Sequence, residues 1–97
     1  MASSAGQPLG GRRVPSEPVA GHRVVLYSRR ACHLCDEARA VLLAEQGRIP
    51  FELEERFVDG DGRLERDYGL RVPVVLVDGE EEFELRVDRG RLRLLLR

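Results

Sequence analysis

Lysine and tryptophan are missing from this chain, methionine stands only at its first position, cysteine occurs twice, and aromatic residues make up 5% of its 97 residues. Each shortage excludes something. Two cysteines cannot build the multi-bridge framework that holds small secreted domains together. No stretch approaches the roughly 20 consecutive apolar residues of a transmembrane helix, so no membrane association is expected. Charge of one sign is also lacking: sixteen basic residues, all arginine, are interleaved with seventeen acids for a net charge of -1. That pattern gives no basic field for nucleic acid. The replacement of lysine by arginine throughout looks like a coding bias and carries no functional message. The start of the chain lacks the apolar run of a signal peptide. The pair Arg12-Arg13 is followed by V-P-S-E-P-V-A-G, a poor fit to a twin-arginine signal. A soluble, cytoplasmic, monomeric protein is expected.

What is present divides into a tail and one domain. Met1 to Gly21 is rich in Ser, Ala, Gly and Pro and has no periodicity, so 1–21 is expected to be a disordered tail. The domain is expected over 22–97, roughly 75 residues, enough for one modest core. His22 to Tyr27 contains V-V-L, the near-continuous apolar run of a strand covered on both faces. From Cys32 to Gln46, Leu34, Ala38, Val41, Leu42 and Glu45 step by three and four, predicting the main helix with Gly47 as its stop. A second strand is expected over Phe51 to Phe57, bulged because Glu55 falls on its apolar phase. Leu64 and Tyr68 predict a short helix ended by Gly69, with the two tyrosines, Tyr27 and Tyr68, serving packing. Val72 to Val77 is a second apolar run, Asp78-Gly79 is a strong hairpin signal, and Glu81 to Val87 alternates Phe83, Leu85 and Val87 against charged residues as an edge strand. Asp88 caps a last helix in which Leu92, Leu95 and Leu96 face the sheet. The element order is β-α-β-α-β-β-α.

The chemistry is expected where the first strand turns into the main helix, at C-H-L-C. Cys32 and Cys35 lie one helical turn apart and can reach each other, so they can cycle between dithiol and disulfide. The N–H groups and dipole of a helix start favour a thiolate at Cys32, as do Arg29, Arg30 and His33, while Asp36 and Glu37 oppose it. Cys35, a turn deeper, is expected to be the less reactive thiol. A zinc site would need two further ligands, and only His22 and His33 remain. No metal and no bound cofactor are expected. A non-enzymatic binding module, or a carrier of a metal or iron-sulfur cluster, stands as the alternative to a redox enzyme.

Through Y-S-R-R-A-C-H-L-C, the R-V-P-V-V segment some forty residues later and the element order, residues 23–97 resemble a glutaredoxin-like member of the thioredoxin superfamily. The resemblance implies an α/β fold with a four-stranded mixed sheet in order 2-1-3-4 and helices on both faces. It implies a thiol-disulfide oxidoreductase in which Cys32 is the nucleophile and Cys35 resolves. It also implies a cis peptide between Val72 and Pro73 opposite the cysteines, where the backbone of Val72 can pair with an extended substrate segment. Arg29 or Arg30 stands where the family often has lysine; with His33, Val72 and Pro73 they are the expected substrate-binding residues. Protein or low-molecular-weight disulfides are the expected partners, with an external thiol or a reductase as electron donor. Glutaredoxins that use glutathione usually carry a Gly-Gly pair after the fourth strand. This chain reads V-D-G-E-E-E-F-E-L-R-V-D there, so glutathione is expected to bind poorly.

Overall fold

Alternation along two apolar strands decides the architecture. In β1 (Arg23–Ser28) and β3 (Val74–Val77) successive side chains point to opposite faces of the sheet, and both faces are apolar. Each face therefore has to be covered. The computed structural model describes residues 21–97, and the expected tail at 1–21 lies, but for Gly21, outside the described residues. One face carries Val24, Leu26, Val75 and Val77 and packs with Phe83 against Ala38 and Leu42 of α1 (His33–Gln46), Leu92 of α3 (Arg89–Leu95) and its C-cap residue Leu96. The other face carries Tyr27 and Val74, with Val25 and Leu76 at its margin, and packs against Leu64 and Tyr68 of α2 (Gly62–Tyr68). Tyr27 and Tyr68 stack with ring centroids 4.2 Å apart.

With β2 (Glu52–Phe57) and β4 (Glu80–Glu84) the sheet runs β2-β1-β3-β4, the order that the resemblance implied. β1 pairs parallel with β2 and antiparallel with β3, and β3 pairs antiparallel with β4. Asp78 and Gly79 both have positive φ, 53° and 88°, which suits a tight two-residue hairpin between β3 and β4. Asp61 and Asp88 cap α2 and α3 by accepting from backbone N–H groups of Leu64 and Arg91.

Several boundaries differ from the sequence reading. β1 begins at Arg23, not His22, and continues to Ser28. Cys32 is the N-cap of α1 and not its first residue, and the buried stripe is Cys35, Ala38, Leu42 and Glu45, with Leu34 and Val41 only half-buried. Gly47 ends α1 in the right-handed region, φ -69°, so the left-handed freedom of glycine is not used there. β2 is unbroken in register; the irregularity lies instead between β3 and β4, where Val75 opposes Phe83 and Leu76 opposes Glu81, leaving Glu82 as the extra residue. Arg91 holds this bulge by donating to the carbonyl of Glu82 at 2.7 Å. β4 also stops at Glu84, because Leu85 turns into the left-handed region with φ 70°. Leu85 is consequently exposed, while Phe83 is buried and Val87 packs at the edge of the core.

Candidate active site

The site lies at the pole where β1 ends. Ser28 closes the strand, Arg29 to Ala31 form a turn, and Cys32 starts α1. Two contacts hold the turn. The guanidinium of Arg29 donates to both carboxylate oxygens of Glu65 on α2, at 3.0 and 2.6 Å, and to the carbonyl of Gly69 at 3.0 Å. The backbone N–H of Arg30 donates to the carboxylate of Asp59 in the loop after β2, at 3.0 Å. Between these anchors Ala31 takes φ 53°, a left-handed conformation that costs a residue with a Cβ roughly 1 kcal/mol. The turn is thus set from both sides before the cysteines are reached.

Cys32 and Cys35 are joined as a disulfide, with Cα atoms 5.2 Å apart. Their surroundings differ. Cys32 is partly exposed, whereas Cys35 is completely buried. The Sγ of Cys32 accepts from the N–H of Cys35 at 3.1 Å, and its carbonyl accepts from the N–H of Asp36 at 3.0 Å. The sulfur therefore occupies the place of a capping oxygen, where otherwise unsatisfied N–H groups favour negative charge.

The remaining predicted residues separate into two groups. His33 and Arg30 border the disulfide in sequence and are exposed; His33 Nε2 lies 2.9 Å from Glu37, and Arg30 stacks over the ring of Phe57, 4.8 Å from its centroid. Arg29 is already paired, its Nη1 and Nη2 donating to Glu65 and Gly69, and this pairing holds the Glu65 carboxyl below its usual range. The Val72–Pro73 peptide is cis. Tyr27 of β1 opposes Val74 of β3 in antiparallel register, so the segment before β3 and the turn after β1 share one pole of the sheet. Pro73 is buried there, its carbonyl accepts from the N–H of Leu85 at 2.7 Å, and among the described residues Val72 makes no backbone–backbone hydrogen bond.

Glu65, Gly69 and Asp59 shape the cysteine turn but are not among the predicted site residues, since Gly69 reads only as a helix stop and nothing local ties Glu65 or Asp59 to the cysteines. A second missed group did leave a trace. Glu55, the residue that spoils the apolar phase of β2, accepts from Arg39 of α1 at 2.9 Å and from Ser28 at 2.6 Å, and Arg39 also reaches Asp36 at 2.9 Å. The first cause of its lowered carboxyl pKa is the hydrogen bonding of Arg39, against the opposing effect of burial. This chain of contacts ties the first two turns of α1 to β1 and β2. Among the described residues no three His, Cys, Asp or Glu side chains are grouped so that they could hold a metal ion.

A family model for the glutaredoxin-like domain, DUF836, matches residues 23–97. The chain belongs to this family. Protein XcR50 of X. campestris, known from an X-ray structure, is 42% identical to this glutaredoxin-like chain, with 75% of this chain and 93% of that one covered and a TM-score of 0.63. The uncharacterized protein Rv0508 of Mycobacterium tuberculosis is 33% identical over 76 residues, covering 73% of this chain and 78% of its own. A mutant thioredoxin from Halobacterium salinarum is 22% identical with a TM-score of 0.57, covering 77% of this chain and 71% of that one, a likeness of fold alone. The glutaredoxin-like domain therefore has a thioredoxin-like fold carrying a C-x-x-C pair at disulfide distance, an arrangement suited to redox chemistry. Among the described residues no helix is long and apolar enough to cross a membrane.

Proposed function

We propose that the protein is a thiol-disulfide oxidoreductase that reduces disulfides through Cys32 and Cys35. The observation that carries this reading is the unequal exposure of two joined sulfurs at a helix start: Cys32 reachable and hydrogen-bonded by the N–H of Cys35, Cys35 fully buried. In the reduced protein the Cys32 thiolate attacks one sulfur of a substrate disulfide, forming a mixed disulfide and releasing the other half as a thiolate. Cys35 loses its proton and attacks the Cys32 sulfur, which expels the second half and leaves the Cys32–Cys35 disulfide. Two electrons have passed to the substrate. An external thiol or a reductase returns the pair to the dithiol.

His33 and Arg30 stand beside the leaving thiolate, and the unoccupied backbone of Val72 pairs with an extended substrate segment as in strand addition, next to Pro73. Arg29 acts by holding the turn. The test is reduction of insulin or a small disulfide with dithiothreitol, glutathione or a thioredoxin-reductase system as donor, wild type against Cys32→Ser. Turnover by the wild type and its loss in Cys32→Ser is expected with at least one donor. Absence of turnover with every donor overturns the enzyme and favours a binding module.

A further inference from the structure

Four chain segments end at the pole that holds the disulfide, and they follow the order of the sheet. Phe57 closes β2, the cysteine turn follows β1, Leu70 to Pro73 lead into β3, and Leu85 follows β4. Three large apolar side chains among them are turned outward. Leu70 is 98% exposed, Leu85 44% and Phe57 36%; among the described residues the other exposed large apolar side chains are Leu43 and Leu94, away on α1 and α3. Leu85 adds a second oddity, since its left-handed backbone would suit glycine, yet a leucine stands there with its side chain exposed.

Most charges at this pole are already matched. Arg29 is bound to Glu65, Arg71 to Glu81 and Glu84, Arg39 to Glu55 and Asp36, and Arg86 lies 3.9 Å from Glu37. Arg30 covers the ring of Phe57. A small, multiply charged thiol compound would find Arg30, which among the described residues has no carboxylate partner, and would have to displace carboxylates to reach the other cations. An apolar polypeptide segment would displace none.

We propose that the site takes protein disulfides whose cysteine is flanked by apolar residues, with Phe57, Leu70 and Leu85 as the docking surface. The proposal rests on the reductase reading above and names its substrate class. Neighbouring strands are about 4.8 Å apart, so the distance from the β2 edge to the β4 edge is about 14 Å, the reach of some four or five extended residues. Such a segment, with its cysteine over Cys32, places one flanking side chain near Phe57 and others near Leu70 and Leu85.

The experiment compares three mixed disulfides of the same chromophoric thiol: with an apolar-flanked cysteine pentapeptide, with an acidic-flanked one, and with neutral 2-mercaptoethanol. Dithiothreitol serves as donor and its direct reaction is subtracted. The wild type is expected to show kcat/KM about tenfold higher for the apolar peptide than for the neutral compound. Leu70→Ser and Leu85→Gly are each expected to cut that ratio about threefold or more, whereas Leu43→Ser, about 16 Å from Cys32 along α1, leaves it as in the wild type. Neither test variant is a packing change: Leu70 is almost fully exposed, and glycine accepts the φ of Leu85. A ratio near one, equal rates for apolar and acidic peptides, or a ratio unmoved in both variants overturns the docking surface while leaving the reductase standing. Reduction of none of the three compounds by the wild type overturns both.

Discussion

Cys32 and Cys35 are the same chemical group in two environments one helical turn apart, and the difference is measurable. After reduction, iodoacetamide below neutral pH is expected to modify Cys32 first, because only a reachable thiolate is alkylated. Cys32→Ser should abolish exchange, and Cys35→Ser should accumulate a mixed disulfide with substrate, seen by intact mass. Faster labelling of Cys35 in peptide maps would reverse the assigned roles. Gly69 is a second residue with a calculable consequence. A Cβ there would stand 2.5 Å from the carbonyl oxygen of Glu65 and 2.9 Å from Nη2 of Arg29. Gly69→Ala must therefore push apart the clamp that holds the cysteine turn, at a cost on the order of 2 kcal/mol, checked by the urea midpoint. The sequence showed Arg29 as a charge near a cysteine. It could not show that a carboxylate 36 residues away already occupies it, since that pairing exists only once α2 has docked on the sheet.

Elements were legible in the sequence where one local rule governs them. β1 and β3 announce themselves by apolar runs, the β3–β4 hairpin by Asp78-Gly79, α2 by the spacing of Leu64 and Tyr68, and α3 by its aspartate cap. β2 and β4 were read less well because distant partners shape them. Glu55 suggested a bulge in β2, but the strand is regular, and its odd carboxylate is turned to Arg39 on the helix above. In β4 the register shifts at Glu82, and the strand ends at Glu84 where Leu85 turns left-handed, so Leu85 lands in solvent. Arg91, nine residues on, supplies the contact that makes this arrangement stable. Glu55 also gives a test of how α1 is fixed. Glu55→Ala leaves Ser28 and most of the Arg39 donors without their acceptor and should lower stability by about 1–3 kcal/mol. Glu55→Leu restores the alternation of β2 but not the tether, and should remain less stable than wild type in urea. A Glu55→Leu variant as stable as wild type would show the tether to be dispensable.

For the molecule as a whole, paired charges make stability depend on pH from both sides. The carboxyls of Glu45, Glu54, Glu55, Glu65 and Glu81 are held below their ordinary value of 4.5, chiefly by hydrogen bonds from arginine. Each binds fewer protons in the fold than in the unfolded chain, so its contribution is present above that value and is lost as pH falls through the lowered one. Glu45 should dominate, since it is completely buried between α1 and α3 with Arg93 at 2.8 Å, while the more exposed pairs are screened by solvent. His22 acts in the opposite direction. Its pKa is raised above 6.5, first by its hydrogen bond to Asp78, so its contribution is full below 6.5 and is lost as pH rises through the higher folded value. Urea midpoints should therefore be highest between about pH 5 and 6.5 and fall on either side, and Asp78→Asn should remove the decline on the alkaline side. A decline that survives in Asp78→Asn would assign it to another group. The same histidine lies 3.3 Å from the carbonyl of Arg97, so positions 22 and 97 are neighbours at the end of the sheet where β1 begins. Six strand residues, about 20 Å, separate that end from the sulfurs. A bead, a surface or a fused domain attached through either position would hang behind the sheet like a handle, and every anchored copy would hold its cysteines outward to the solution.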